Sequence, residues 1–487
     1  MARYDYDIGV IGGGAAGLTV AAGAARFGAK VLLVEKSERL GGDCLHTGCV
    51  PSKTLIKTAK VLSLARRSRE FGLPCLEIPE IDLGSVMDRV QRVIDRIQAH
   101  DSPERFCGLG VKVLFGNASF VDGHTVEAGG ERISARSWVL STGSSPAIPP
   151  VEGLAEVPYW TNETVFSQRE LPEKLIVLGG GPVGIELAQS FQRLGSMVTV
   201  VEFMDQILGA EDSDVAGVVR ERLLTEGMEL LTSTKAVRAQ KSLMGVKLTV
   251  SPSSGGEERF LEANALLVAT GRKPNVGGLN LEAAGVGFSA KGVPADARLR
   301  TNIPHIYACG DVNGVFPFTH VAGYEGGIAL TNSVLHLPRK ADYGKIPWCT
   351  FCDPEVASVG LSEKRAIEEG LEYRVLTERF AENDRALAES EAEGFIKVLI
   401  TPRGKLLGCQ IVGASAGELI HEWILAVSGG AKLSTIAGGV HVYPTLSEIS
   451  KRAMGSYYAE KLFSERTKSL LTFLFNLKGR GCELPEA

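Results

Sequence analysis

No apolar run in this chain of 487 residues is long enough to span a bilayer. Charge of one sign is lacking too. The net charge is −5, which argues against a general nucleic-acid binder, because phosphate recognition needs a basic surface. Cysteine is sparse for the length. Nine thiols in so long a chain do not make the dense disulfide framework of a small secreted domain. The opening residues, Met1 to Asp7, run directly into a strand without a signal-peptide hydrophobic region. These absences predict a cytoplasmic protein with no transmembrane segment. At this length one core is too small, and two to four domains are expected.

Glycine is abundant instead. The 57 glycines gather at strand-to-helix junctions. Ile8, Val10 and Ile11 form a first strand, Gly12-Gly13-Gly14-Ala15-Ala16-Gly17 a turn, and Lys30 to Glu35 a second strand after an alanine-rich helix. This is a G-x-G-x-x-G fingerprint with an acid 18 residues beyond its last glycine. The glycines let backbone approach a pyrophosphate, the helix N-terminus stabilises its charge, and Glu35 suits a ribose. The unit recurs at 174–202, with Gly179, Gly181, Gly184 and, again 18 residues on, Glu202. Two such units suggest two dinucleotides and electron transfer between them.

A cysteine pair follows the first unit, in Gly41-Gly42-Asp43-Cys44-Leu45-His46-Thr47-Gly48-Cys49-Val50-Pro51-Ser52-Lys53. In a regular helix residues five apart are separated by about 7.5 Å along the axis. A disulfide needs Cα atoms roughly 4.4–6.8 Å apart. Bonding therefore requires a distorted turn, which Gly48 permits. Two buried structural cysteines or a metal site are the plainer alternatives.

Elsewhere, residues 54–106 read as mostly helical and 111–140 as short strands. Trp138 to Gly143, Leu266 to Arg272 and Ile306 to Asp311 read as buried strands ending in tight turns. Prolines near 150 and 274 mark boundaries, and beyond about 340 the pattern becomes α+β. Cys349-Thr350-Phe351-Cys352 lacks two further ligands for zinc, and its strand spacing predicts core cysteines. Cys75, Cys107, Cys309 and Cys409 read the same way.

In this order of motifs, with Tyr443-Pro444-Thr445-Leu446-Ser447-Glu448 as the last, the chain resembles the FAD-dependent pyridine-nucleotide–disulfide oxidoreductases from residue 5 to about 455. That family includes lipoamide dehydrogenase, glutathione reductase and mercuric reductase. The resemblance implies an α/β fold with two Rossmann-like domains, for FAD and NAD, and a C-terminal α+β dimerisation domain. The expected division is 1–150 and 274–340 for FAD, 151–273 for NAD, and 341–487 for the interface of a homodimer whose partner tail completes each site. It places FAD on Gly12, Gly14, Ala16, Gly17, Glu35, Lys36, Gly42, Asp43, Thr142, Gly143, Gly310 and Asp311, with Gly271 and Arg272 also at the cofactors. NAD falls to Gly179, Gly181, Gly184 and Glu202. Cys49 would face the flavin, Cys44 a small or protein-bound disulfide, and Lys53, paired with Glu186, the flavin N5. No resident metal is expected. Glu202 repels a 2′-phosphate and no arginine follows it closely, which favours NADH over NADPH.

The pattern also breaks. The family's catalytic histidine before Pro-Thr is here Tyr443, a poor base near neutral pH, although Glu448 remains. If the segment is extended, His441 shares a face with Tyr443 and is the candidate to substitute for that histidine, with a simple packing or surface histidine as the equal alternative. Tyrosine here also resembles mercuric reductases, but their adjacent C-terminal cysteines are reduced to Cys482 alone, and their N-terminal Cys-x-x-Cys domain is lacking. The acceptor is thus a disulfide, with mercuric ion or a quinone as alternatives, and a non-catalytic NADH-binding flavoprotein as the third class. His46 reads as a loop residue bonding backbone. The apolar tail at 470–477 reads as a helix packed on the dimer, with membrane-surface contact as the alternative.

Overall fold

The computed structural model describes residues 4–479, so Cys482 lies outside the described residues. The chain forms two compact units: residues up to Ala216 with Arg220–Ile346, and Gly217–Val219 with Pro347 onward.

In the first unit the β-branched runs pair as the glycine punctuation predicts. Tyr6–Ile11 lies parallel between Val31–Glu35 and Glu131–Leu140, with Val111–Phe115 beyond the former and Ile306–Ala308 beside the latter. Helix α1 (Ala15–Arg26) connects the first two strands. Ile8, Val10, Leu33, Val139 and the inner face of α1 are buried together. Helices α2 (Gly42–His46), α3 (Cys49–Arg66), α4 (Leu83–Gln98) and α5 (Pro103–Gly108) follow. The helical expectation for 54–106 fails at 72–82, where Gly72 takes φ +73° and Pro74 and Pro79 withhold N–H groups.

A second parallel sheet repeats the order. Lys174–Leu178 lies between Met197–Val201 and Ala265–Val268, with Glu229–Leu231 outside. Helix α6 (Pro182–Leu194) follows the second glycine turn, α7 (Ser213–Thr225) precedes the outer strand, and α8 (Thr319–Ser333) packs on α1.

The second unit is an antiparallel five-stranded sheet, in the order Pro347–Thr350, Glu355–Gly360, Leu406–Gly413, Phe395–Ile400, Arg374–Arg379. Its helices are α9 (Glu363–Glu368), α10 (Asp384–Ala388), α11 (Ala416–Gly429), α12 (Leu433–Gly438), α13 (Glu448–Leu462) and α14 (Glu465–Phe475). Trp423 of α11 is fully buried with Ile396, Val398 and Ile411 of the sheet, an α+β layer as expected. Along α14, Leu470, Phe473, Leu474 and Phe475 are exposed within this unit. Among the described residues no helix is long and apolar enough to cross a membrane.

Candidate active site

The first glycine turn is fixed by close approach. Gly12 has φ +108°, and a Cβ there would lie 2.2 Å from the Ser141 carbonyl oxygen. A Cβ at Gly17 would lie 1.9 Å from the Gly12 oxygen. Helix α1 starts at Gly14 without a side-chain cap. Its first amides thus lack an intrahelical partner and suit a pyrophosphate. The second turn repeats this at Gly179, φ +105°, and at the uncapped Gly181 opening α6. This chemistry fits two dinucleotides.

The acids at the strand ends bond the backbone of their own turns. Glu35 accepts from Gly13 N–H (2.6 Å) and Ser37 N–H (2.7 Å), and Glu202 accepts from Gly180 N–H (2.5 Å) and Met204 N–H (2.7 Å). Each holds its own turn closed. Ala16 is buried on α1 and Lys36 is exposed past its strand. Gly42 packs so closely on Gly14 that a Cβ would come within 2.8 Å of its Cα. Thr142 donates to the Asn275 carbonyl (2.7 Å), just before the left-handed Gly143.

Between α2 and α3 the chain breaks at Thr47 and Gly48, supplying the distorted turn. Gly48 is needed for proximity rather than for positive φ, since a Cβ would sit 2.9 Å from the Asp43 carbonyl oxygen and 3.1 Å from Cys44 Cα. Cys44 and Cys49 are both free thiols, the first half-buried and the second exposed. The Cys44 thiol donates to Cys49, which is the largest cause lowering Cys49 to about 6, with the Thr319 hydroxyl and the Lys53 charge assisting. The same bond, then burial, raises Cys44. Cys49 Sγ lies 3.3 Å from Thr319 Oγ1 at the start of α8. Lys53 Nζ, one turn along α3, donates to both Glu186 oxygens at 3.1 and 2.8 Å. His46 is the last residue of α2 rather than a loop residue, and its Nε2 contacts the Leu40 carbonyl at 2.9 Å, the expected backbone bond.

A polar chain leads from this turn to Asp311. Asp43 Oδ1 accepts from Thr47 Oγ1 (2.7 Å) and Asn162 Nδ2 (2.9 Å), and Oδ2 pairs with Arg272 at 3.2 Å. Arg272, just after the left-handed Gly271, donates to Ser144 Oγ (2.7 Å), which donates to Asp311 at 2.5 Å. Burial raises the Asp311 carboxyl. Behind it, buried Glu325 accepts from Gly310 N–H (2.6 Å), Asn313 (2.8 Å) and Tyr343 (2.6 Å), fixing the Gly310 turn at φ +75°. Asn162, Ser144, Thr319, Glu325 and Tyr343 went unnoticed in the sequence, where they sit in ordinary polar turns and helix ends.

In the second unit, His441 and Tyr443 do not share a face. The His441 side chain is 11% exposed, with Nε2 3.2 Å from Glu422 of α11. Tyr443 is 67% exposed and donates to Asp384 at 3.0 Å. That bond raises the phenol, and the Glu448 charge adds to it. The segment between Gly439 and Pro444 forms no strand. Cys309, Cys352 and Cys409 are buried as expected, and Cys349 is half-buried. Cys75 and Cys107 are exposed instead, one in the 72–82 coil and one on the outer side of α5. No cluster of metal ligands occurs among the described residues.

A family model described as pyridine nucleotide-disulphide oxidoreductase matches residues 6–326, and that family's dimerisation domain matches 346–454. A mercuric reductase of Staphylococcus aureus is 34% identical over 92% of this chain and 82% of its own. A dihydrolipoamide dehydrogenase of Chaetomium thermophilum is 36% identical over 94% and 92%. Among solved structures, the HOCl-induced flavoprotein disulfide reductase RclA of Escherichia coli aligns with a TM-score of 0.83 at 26% identity, covering 92% of this chain and 99% of that one.

Proposed function

Because this chain belongs to the pyridine nucleotide-disulphide oxidoreductase family, we propose that it is an NADH-dependent disulfide reductase whose Cys44–Cys49 pair alternates between dithiol and disulfide. FAD on the first glycine turn supplies two-electron exchange between a nicotinamide and a sulfur. The remaining work falls to side chains. Cys49 is held as the more acidic sulfur by the Cys44 thiol, Thr319 and Lys53. Cys44 holds its proton in the resting pair and, once the pair is open, gives it up to solvent and attacks an incoming disulfide as the thiolate. Residues 151–273 carry the nicotinamide dinucleotide, and 1–150 with 274–340 carry FAD. Glu202 beside exposed Phe203 and Met204 favours an unphosphorylated ribose. Residues 341–487 pair two copies, with the partner's tail completing each site in the cytoplasm.

The observation carrying this reading is the pair of free thiols, Cys44 and Cys49, set on either side of a broken helix with Cys49 beside Thr319 and one turn from Lys53. An anaerobic NADH titration tests it. Uptake should exceed the flavin's own by two electrons, the disulfide couple's share. A panel of lipoamide, glutathione disulfide, mercuric ion and quinones then finds the acceptor. A lipoyl or similar disulfide is the first expectation. Mercuric ion is the second reading, favoured by the raised, carboxylate-bound Tyr443, because a soft thiolate pair takes a soft ion without help from a base.

A further inference from the structure

The redox turn is held from outside. Asn162 lies on the segment leading into the second glycine unit, 119 residues beyond Asp43, and is 9% exposed. Its amide donates to Asp43 Oδ1 at 2.9 Å and to the Thr47 carbonyl at 3.1 Å. Thr47 also donates its hydroxyl to Asp43 at 2.7 Å, and its N–H to the Asp43 carbonyl at 2.9 Å. The base of this clamp is stiff. Trp160 exchanges backbone bonds with Leu266 and Val268 of the second sheet, and Thr161 accepts from Val165 N–H and donates its own N–H to Thr164 Oγ1.

We propose that Asn162 is a positioning residue that sets the reduction potential of the Cys44–Cys49 pair. This rests on the disulfide-reductase reading and deepens it. Oxidation forms one S–S bond and releases two electrons, together with the proton on Cys44 and any proton that Cys49 still carries at the working pH. A clamped turn keeps each thiol at high effective concentration at the other, which favours the bonded form. Releasing the turn gives the open dithiol more conformations and so favours reduction. The Asn162→Ala variant should therefore lower the effective concentration three- to tenfold, a positive shift of about 15–30 mV. Asn162→Asp should shift further, because a carboxylate replaces the donor facing Asp43.

The test equilibrates the flavin-loaded protein anaerobically in buffers of dithiothreitol and its cyclic disulfide, alkylates the thiols, and counts them by mass. Electrons and protons pass from one dithiol to the other, so no further reactant is needed. Thr47→Val, which removes only the hydroxyl bond, should shift in the same direction and serves where an Asn162 variant does not fold. A wild-type pair that titrates, with variant midpoints on the same value, overturns the clamp alone. A wild-type pair that never forms a disulfide overturns the reductase reading, and the clamp falls with it.

Discussion

Lys53 Nζ donates to both carboxylate oxygens of Glu186, joining residues 133 positions apart through α3 and α6. The carboxylate side chain is 6% exposed and the lysine's 35%. Removing one member of a fully buried pair costs roughly 3–5 kcal/mol. Solvent reaches this lysine, so screening reduces the figure. Glu186→Ala should destabilise by about 1–2 kcal/mol in urea unfolding, whereas Glu186→Gln, which keeps one acceptor, should lose less. Both should slow disulfide turnover if Lys53 acts at the flavin, because its ammonium would no longer be aimed.

The proposed function gives the two sulfurs separate duties, and serine variants distinguish them. Cys44→Ser should abolish disulfide turnover by at least a hundredfold, on the order expected when a covalent route is removed. Quinone reduction should persist in the same protein, since it needs no interchange thiol. Equal loss of both activities would contradict the division of labour.

The raised acidity of Cys49 gives a pH signature. An ordinary thiol titrates near 8.5, whereas Cys49 is lowered to about 6. At pH 7 the thiolate fraction is therefore about thirtyfold higher, but its intrinsic nucleophilicity falls by roughly tenfold. The rate gain nearly cancels, and the midpoint is the better observable. Alkylation of the reduced protein by iodoacetamide should show a midpoint near 6. Cys44→Ala, which removes the leading hydrogen bond, and Lys53→Met should each move it upward. The stability sign agrees. A group more acidic when folded stabilises fully above its unfolded pKa, and that contribution is lost as pH falls through about 6.

The glycine turns, the buried strands after them and the distorted turn were legible because each depends on residues within a short span. Gly12, Gly17 and Gly48 have no room for a Cβ, and that constraint shows directly as glycine. Lys53–Glu186 was legible only through family likeness. Asn162 and Thr319 were not legible at all. Their partners lie 119 and 270 positions away, and an asparagine in Thr161-Asn162-Glu163-Thr164 reads as a local turn. Cys75 and Cys107 were misread because the tendency of free cysteine to be buried is an average. The role read for His441 rested on an extended strand, and the segment around it forms none, its ring lying instead against Glu422 of α11.

Tyr443 and His441 then make opposite predictions about proton transfer. Tyr443 spends its proton on Asp384, and that bond together with the Glu448 charge keeps the phenol protonated. Such a group donates rather than accepts near neutral pH. Tyr443→His should therefore raise disulfide turnover, by roughly the 10²–10⁴-fold a positioned base supplies at most, and give it a pH dependence with a midpoint near 6.5. Tyr443→Phe should leave the pH profile unchanged. His441→Ala should also leave it unchanged, because the ring is turned onto Glu422. A pH–rate profile of each variant with lipoamide decides the matter. If the acidic limb disappears in His441→Ala while wild type has it, His441 is the base, and the Glu422 contact is what orients it.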